Sequence, residues 1–106
     1  MIEVQNLIGG KHITADECFD DICPSDGSII ASIPRTMAVD DAVSAAEKAQ
    51  PEWAALSLEQ RADWLAIIAD ALESRHEELA ELEALDTGKP LEVAREVDIA
   101  RSIENF

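Results

Sequence analysis

The stretch "LEALDTGKPLEVA", residues 82–94, decides how the second half of the chain is organised, because it interrupts a long helical pattern. Its Gly88-Lys89 pair follows a hydroxyl residue, as in some phosphate-binding loops. Such a loop also needs a glycine five positions earlier, Ser or Thr after the lysine, and a strand leading in. Here those positions hold Glu83 and Pro90, and the lead-in is helical. Gly88 suits the left-handed residue past a helix end and Pro90 the start of the next helix, so we predict a helix–helix joint.

The length and charge of the chain limit what it can do. It has 106 residues, enough for one small domain, and a formal net charge of −15. That charge repels nucleic acid and anionic membranes. Mimicry of DNA is the alternative, but the acids alternate with leucines and alanines at helical spacing, which is typical of solvated helix faces. With no apolar run of about 20 residues and no secretion-signal layout, a cytoplasmic location is expected.

The two cysteines, Cys18 and Cys23, do not form a recognisable chemical motif. A structural disulfide is not expected in the cytosol. Zinc would need further ligands at suitable spacing, and a catalytic thiol would need a base that neither His12 nor His76 is placed to supply. We therefore predict that both cysteines pack against strands.

The first third of the chain has the pattern of short strands. Residues 4–8 and 11–14 are β-type runs separated by Gly9-Gly10, a hairpin signal. Residues 19–23 and 28–33 flank Pro24-Ser25-Asp26-Gly27, in which proline presets φ and glycine permits a positive φ. The sequence predicts two small hairpins or a meander.

From Val39 onward the apolar spacing changes to three or four residues, which predicts helices. A first helix has Asp40 and Asp41 in its first turn and is expected to end at Pro51. A second begins with a capping box at Ser57 and runs to the Gly88 joint, and a third opens at Pro90. We predict an α+β chain with a strand segment over residues 1–36 and a three-helix segment over residues 37–106. The helical pattern runs without a cap to the aromatic Phe106, which suggests part of something longer.

Several strings resemble the N-terminal segment of the NAD(P)-dependent aldehyde dehydrogenase superfamily. "NLIGGKHI" resembles its opening hairpin, and "ICPSDGSIIASIP" resembles an Asn-Pro-Ala-Thr-Gly-Glu element with Cys23 in place of asparagine. "VDDAVSAAEKAQPEWAALSLEQRADWL" and "LEALDTGKPL" are similar to its Trp-containing helix pair and to the helix joint that follows. Their order and spacing together carry the resemblance across nearly the whole chain.

The resemblance implies an enzyme that oxidises an aldehyde to a carboxylic acid, with hydride passing to NAD or NADP. In the family a cysteine nucleophile, an oxyanion-stabilising asparagine and a glutamate base perform the chemistry. All three lie beyond the part that this chain resembles. We therefore expect no catalytic or cofactor-binding residues in these 106 residues and no activity of the chain alone. The resemblance also implies that the remainder of such an enzyme is the partner, in a homodimer or homotetramer.

One metal site is implied by the resemblance. Some members, notably betaine aldehyde dehydrogenases, bind K⁺ or Na⁺ between backbone carbonyls and an aspartate, and the matching positions are Asp21, Ile22 and Asp98. The alternative is that Asp98 is an ordinary helix acid that caps or pairs locally.

The sequence leaves alternatives open for both the substrate and the function. "VDIARSIENF" is similar to a string in dehydrogenases of muconic semialdehydes, with Ala100 in place of proline, although related strings occur in other branches. The alternative function is a free-standing acidic helical module that binds a protein partner through its leucine stripe and performs no chemistry.

Overall fold

The computed structural model describes residues 2–35 and 38–106 of the chain. The contacts within the chain divide it into two compact units. The first consists of Met1–Ile22 and Ile29–Leu56, and the second consists of Cys23–Ser28 and Ser57–Phe106. The α+β class that the sequence predicts is confirmed, since short strands are followed by helices. The boundary expected between residues 36 and 37 lies outside the described residues, so that division stays a prediction.

The first predicted hairpin is confirmed. Strands β2 (Asn6–Ile8) and β3 (Lys11–Ile13) pair antiparallel, with Leu7 opposite His12. Gly9 and Gly10 both have positive φ, 57° and 76°, as a two-residue type I′ turn requires.

The remaining strands form a sheet of order β1-β5-β4. The second predicted hairpin, β4 (Cys18–Ile22) with β5 (Ile29–Pro34), is antiparallel, and its turn closes through a 2.9 Å bond from the Gly27 N–H to the Cys23 carbonyl. Strand β1 (Ile2–Glu3) pairs parallel with β5, which the sequence did not predict. Two residues are too few to show a strand period, and a parallel partner lies far along the chain.

Helix α1 (Val39–Ala55) passes through Pro51, so the prediction that Pro51 ends this helix was wrong. Proline removes the hydrogen bond to the carbonyl four residues earlier, at Glu47. Both residues are exposed, so water can satisfy that carbonyl. The predicted acids Asp40 and Asp41 do lie in the first turn.

Helix α2 (Leu58–Ser74) starts with the predicted capping box. The Ser57 hydroxyl accepts from the Gln60 N–H at 3.1 Å, and the Gln60 side chain accepts from the Ser57 N–H at 2.9 Å. The predicted continuation to Gly88 was wrong in one respect. Arg75 leaves the helical conformation, with φ −114° and ψ 17°, and a separate helix α3 (His76–Thr87) follows.

The last helical stretch is not uniform. It consists of α4 (Leu91–Val93), a π-helical segment (Ala94–Ile99) and α5 (Ala100–Glu104). It begins at Leu91, one residue later than predicted, since Pro90 has the extended ψ of 135° that caps the helix. The π-helical segment places one extra residue in a turn, a change that apolar spacing does not reveal.

Among the described residues, the buried apolar set is small: Cys23, Ile30, Ala31, Ala80 and Ala94. Large apolar side chains lie instead on the surface, including Leu58 at 78% exposure, Trp64 at 54% and Ile67 at 55%. Exposed apolar area of this extent is unusual for a monomer and indicates faces meant to be covered. No helix in the described part of the chain has the length and apolar character to cross a membrane.

Candidate functional site

The joint after α3 is built as the sequence predicts. Gly88 adopts the left-handed conformation at φ 72°, and its N–H donates to the Ala84 carbonyl at 3.0 Å, which ends the helix. The Thr87 hydroxyl donates to the Glu83 carbonyl at 2.6 Å. The hydroxyl next to the Gly-Lys pair is thus already used within the joint.

Gly88 is also required because of a close neighbour. A Cβ built on Gly88 would lie 2.8 Å from Cγ of Pro24, a contact that real Cβ atoms do not make. Pro24 belongs to the β4–β5 turn, residues 23–28, which lies in the same compact unit as the joint. The Pro24 ring therefore packs directly against the backbone of Gly88, and any side chain at position 88 would push the turn and the joint apart.

Lys89 lies between two carboxylates. Its Nζ is 2.7 Å from Oδ2 of Asp98 and 3.0 Å from Oε1 of Glu83. Each of the three side chains is about one-third exposed, at 32%, 31% and 33%. The hydrogen bonds from the ammonium, first to Asp98 and then to Glu83, raise the pKa of Lys89. This lysine stays charged and links the end of α3 to the π-helical segment.

Two further side-chain contacts connect the start of α3 to the π-helical segment. Nε2 of His76 lies 2.7 Å from the Arg95 carbonyl oxygen, and since a carbonyl only accepts, Nε2–H is the donor. The Arg95 guanidinium binds the Glu77 carboxylate through two bonds, and the one from Nε to Oε2 is 2.7 Å. The hydrogen bond with Arg95 lowers the pKa of Glu77. The π-helical segment is therefore anchored to α3 at both Arg95 and Asp98.

The predicted cation ligands fall in both units. Asp21 is half-buried and Ile22 half-exposed, at the end of β4, and the pairing register with β5 shifts between them. Asp98 lies in the π-helical segment and is paired with Lys89, as the local-pairing alternative describes. Over residues 2–35 and 38–106, no group of three or more His, Cys, Asp or Glu side chains has the geometry of a metal site. A cation site built mainly from backbone carbonyls is not a group of that kind, so the predicted alkali-cation site stays a prediction.

The two cysteine thiols have different surroundings. Cys23 is buried at 3%, as expected of a packing residue, whereas Cys18 is exposed, so the packing prediction was wrong for Cys18. Cys18 is the first residue of β4, the edge strand of its sheet, and lies opposite Pro34 of β5. Both cysteines are free thiols.

Sequence reasoning missed Lys89 as a site residue. Its partners are six and nine positions away, and only the turn at Gly88 and the π-helical segment bring them to it. The weak signal that was available is that Lys89 is the only lysine or arginine between Arg75 and Arg95, within a strongly acidic stretch.

Comparison with known proteins gives a consistent result. The family model described as "Aldehyde dehydrogenase family" matches residues 12–106. A 2-aminomuconic 6-semialdehyde dehydrogenase of Pseudomonas sp is 38% identical over all of this chain, and a 2-aminomuconic semialdehyde dehydrogenase of Homo sapiens is 36% identical. The chain spans only 22% of the length of each of these two proteins.

Solved structures agree with the sequence matches. An NAD⁺ complex of an aldehyde dehydrogenase from Bacillus cereus superposes with a TM-score of 0.92 at 34% identity, over 98% of this chain and 22% of that one. PnpE from Pseudomonas sp. WBC-3 superposes with a TM-score of 0.90 at 39% identity, over 96% of this chain and 22% of that one. The small α+β arrangement is thus one that recurs inside much longer chains.

Proposed function

The chain belongs to the aldehyde dehydrogenase family, and from that premise we propose that it serves as the N-terminal portion of an NAD(P)-dependent enzyme that oxidises an aldehyde to a carboxylic acid. The observation that carries the proposal is the match of residues 12–106 to the family model together with relatives that extend far beyond the matched part. The relatives named for an activity are oxidoreductases that act on aldehydes.

For the substrate we propose a semialdehyde of the muconic type. The support is that relatives named for 2-aminomuconic semialdehyde share 36–40% identity with this chain, and one named for 2-hydroxymuconic semialdehyde shares 36%. Such a substrate is an unsaturated acid with an aldehyde at one end, so its recognition requires a cation for the carboxylate and a nucleophile for the aldehyde. In this chain the ammonium of Lys89 is already held by two carboxylates. We therefore propose that the rest of the enzyme supplies both groups.

For the cofactor we propose NAD or NADP bound by the remainder of the enzyme. Related structures are described as complexes with NAD⁺ and, in one case, NADP. A dinucleotide carries a pyrophosphate, which is bound by backbone N–H groups at a glycine-rich turn and by positive charge. In this chain, a net charge of −15 opposes an anion, and the Gly88 turn is closed by Pro24. These residues do not fit the cofactor.

The role proposed for this chain is to cover the rest of the enzyme. The exposed side of α2 presents Trp64 and Ile67, three residues apart on one helix face, while Leu65 and Leu72 on another face are less exposed. A helix that is apolar on two sides is typical of one enclosed in a larger protein. We propose that the chain alone is inactive, and that the complete enzyme is a homodimer or homotetramer in the cytoplasm, where free thiols such as Cys18 and Cys23 persist.

The experiment compares the purified chain with the same chain combined with a related dehydrogenase's complementary portion, the part that follows the matched N-terminal segment. NADH formation from a muconic semialdehyde is measured by absorbance. We expect no aldehyde-dependent signal from the chain alone and a clear signal from the combination. Reduction of NAD by the chain alone would overturn the proposed division of roles. A combined protein that assembles and binds NAD but oxidises no aldehyde would overturn the proposed activity.

A further inference from the structure

Arg61, on helix α2, is a half-buried arginine whose charge is not paired. Its compact unit holds five lysines and arginines, of which three form ion pairs with glutamate or aspartate: Arg75, Lys89 and Arg95. Arg101 is fully open to water, which can solvate its charge. The Arg61 guanidinium forms no hydrogen bond or ion pair over residues 2–35 and 38–106. Since a charge taken out of water is stable only when it is paired, Arg61 requires an acceptor from elsewhere.

The sequence of α2 explains why Arg61 has no partner on its own helix. A helical side chain reaches those three or four residues away, and around Arg61 these positions hold no acid: Ser57, Leu58, Trp64 and Leu65. The nearest acids in sequence are Glu59 and Asp63, two residues away, which face other sides of the helix. The guanidinium is thus set among apolar neighbours.

Those neighbours form an uncovered surface, the α2 patch, which consists of Leu58, Arg61, Trp64 and Leu65. Leu58 is 78% exposed, Trp64 54% and Leu65 36%. Nearer the end of α2, the same face continues to Ala69 and Leu72, which are half-buried, and α3 and α5 pack against this helix. One apolar face of α2 is therefore covered towards its C-terminal end and open towards its N-terminal end.

The composition of the α2 patch indicates what would cover it. Tryptophan and arginine are enriched at the centres of protein interfaces, where apolar neighbours exclude water from the contact. The planar guanidinium of arginine binds a carboxylate through two parallel hydrogen bonds. A surface that fits the α2 patch therefore offers apolar side chains for Leu58 and Trp64, with an aspartate or glutamate placed between them for Arg61.

A second copy of this chain does not meet that requirement. A two-fold contact would bring the same patch from both copies together, and the patch contains no carboxylate for Arg61. Each copy also carries a net charge of −15, so two copies repel each other. The relatives, in contrast, extend far beyond the part that this chain matches, since it spans 22% of the Pseudomonas protein.

We propose that an aspartate or glutamate in the remainder of the enzyme forms an ion pair with Arg61, and that apolar side chains around it cover the rest of the α2 patch. This inference rests on the proposed function, in which the chain is the N-terminal portion of a longer enzyme. It adds the chemistry of one contact through which the two portions hold together.

The first test uses the combined enzyme, in which this chain is joined to the complementary portion of a related dehydrogenase. A dicarbonyl reagent that modifies arginine is applied, and mass spectrometry follows each arginine in the folded and the denatured enzyme. Arg61 should react about tenfold more slowly in the folded enzyme, the order of effect that hydrogen bonds to a carboxylate produce. Arg75 is the matched control and should be slowed much less, because its ion pair with Glu78 is 61% and 53% exposed.

A second test identifies the carboxylate. A carbodiimide joins a carboxylate to an adjacent amine as an amide and takes up the water that is lost, so Arg61→Lys supplies the amine in the combined enzyme. Its cross-link should run to an aspartate or glutamate of the complementary portion. The matched variant Arg75→Lys should cross-link to Glu78 instead.

Three outcomes would overturn the inference. One is equal reaction of Arg61 in the folded and the denatured enzyme, as for a guanidinium that extends into water while only its stem packs. Another is a set of Arg61→Lys cross-links confined to residues 1–106. The third is protection of Arg61 that is lost when dilution separates the subunits, since another subunit would then be the cover. Neither test measures aldehyde oxidation, so a protected and cross-linked Arg61 in an inactive enzyme would contradict the proposed function alone.

Discussion

Replacing Gly88 with alanine should destabilise the helical unit far more than the same change at Gly27. Both glycines have nearly equal positive φ, 72° and 76°, so an alanine pays a similar backbone penalty of about 1–2 kcal/mol at either position. At Gly27 nothing lies within 4 Å of the new Cβ, whereas at Gly88 it would lie 2.8 Å from Cγ of Pro24. Overpacking of that kind adds about 1–3 kcal/mol. The expected totals are about 1–2 kcal/mol for Gly27→Ala and about 2–5 kcal/mol for Gly88→Ala.

The assay is urea denaturation followed by circular dichroism, with the free energy of unfolding compared at a common slope. A double-mutant cycle with Pro24→Gly isolates the contact, because glycine at position 24 removes both ring atoms near the new Cβ. Gly88→Ala should cost less in the Pro24→Gly background than in the wild type. Equal losses in the free energy of unfolding for Gly27→Ala and Gly88→Ala, with no coupling to Pro24, would refute the packing argument. The cost of placing alanine at a positive φ would then explain both losses.

Two further predictions concern α2 and acid stability. Ser57→Ala removes the capping box and should lower the free energy of unfolding, measured by urea denaturation, by about 0.5–2 kcal/mol. As a control, Ser74→Ala removes a hydroxyl at the other end of α2 and should change that free energy little. Hydrogen bonds from Arg95 and Arg75 lower the folded-state pKa of Glu77 and Glu78, respectively, below their ordinary value of 4.5. Their stabilisation is therefore present above pH 4.5 and is lost as the pH falls through the lowered pKa values. Glu77→Gln should weaken this acid dependence in a pH series of melts, and an unchanged pH profile would contradict the role of the Arg95 pair.

The elements that could be predicted are those whose cause is local. Gly9-Gly10 and Gly27 specify turns through their own permitted φ, and Ser57 caps a helix through a partner three residues away. The break at Arg75 has no such signal, since it contains neither glycine nor proline. Its geometry accompanies contacts made later in the chain, where His76 and Glu77 bind the π-helical segment. A local pattern cannot report a tertiary contact that overrides it.

The candidate site was predictable only in part for the same reason. Asp98 was identified through resemblance, but its partner Lys89 was interpreted only as part of a joint. Pairing of these residues depends on the rotation that the π-helical segment introduces, and one extra residue in a turn leaves no trace in apolar spacing. The contact between Pro24 and Gly88 joins turns that are distant in sequence, so residue types alone predicted each turn but not their packing.

The parallel pairing of β1 with β5 has a consequence for synthesis on the ribosome. Ile2 lies beside Ala31, so β1 has no partner until nearly thirty more residues have followed it out of the exit tunnel. At a translation rate of about 5–20 residues per second, that delay lasts seconds, far longer than a hairpin takes to close. Strands β2 and β3 can therefore pair during this delay, and β1 joins its sheet only after β5 has emerged.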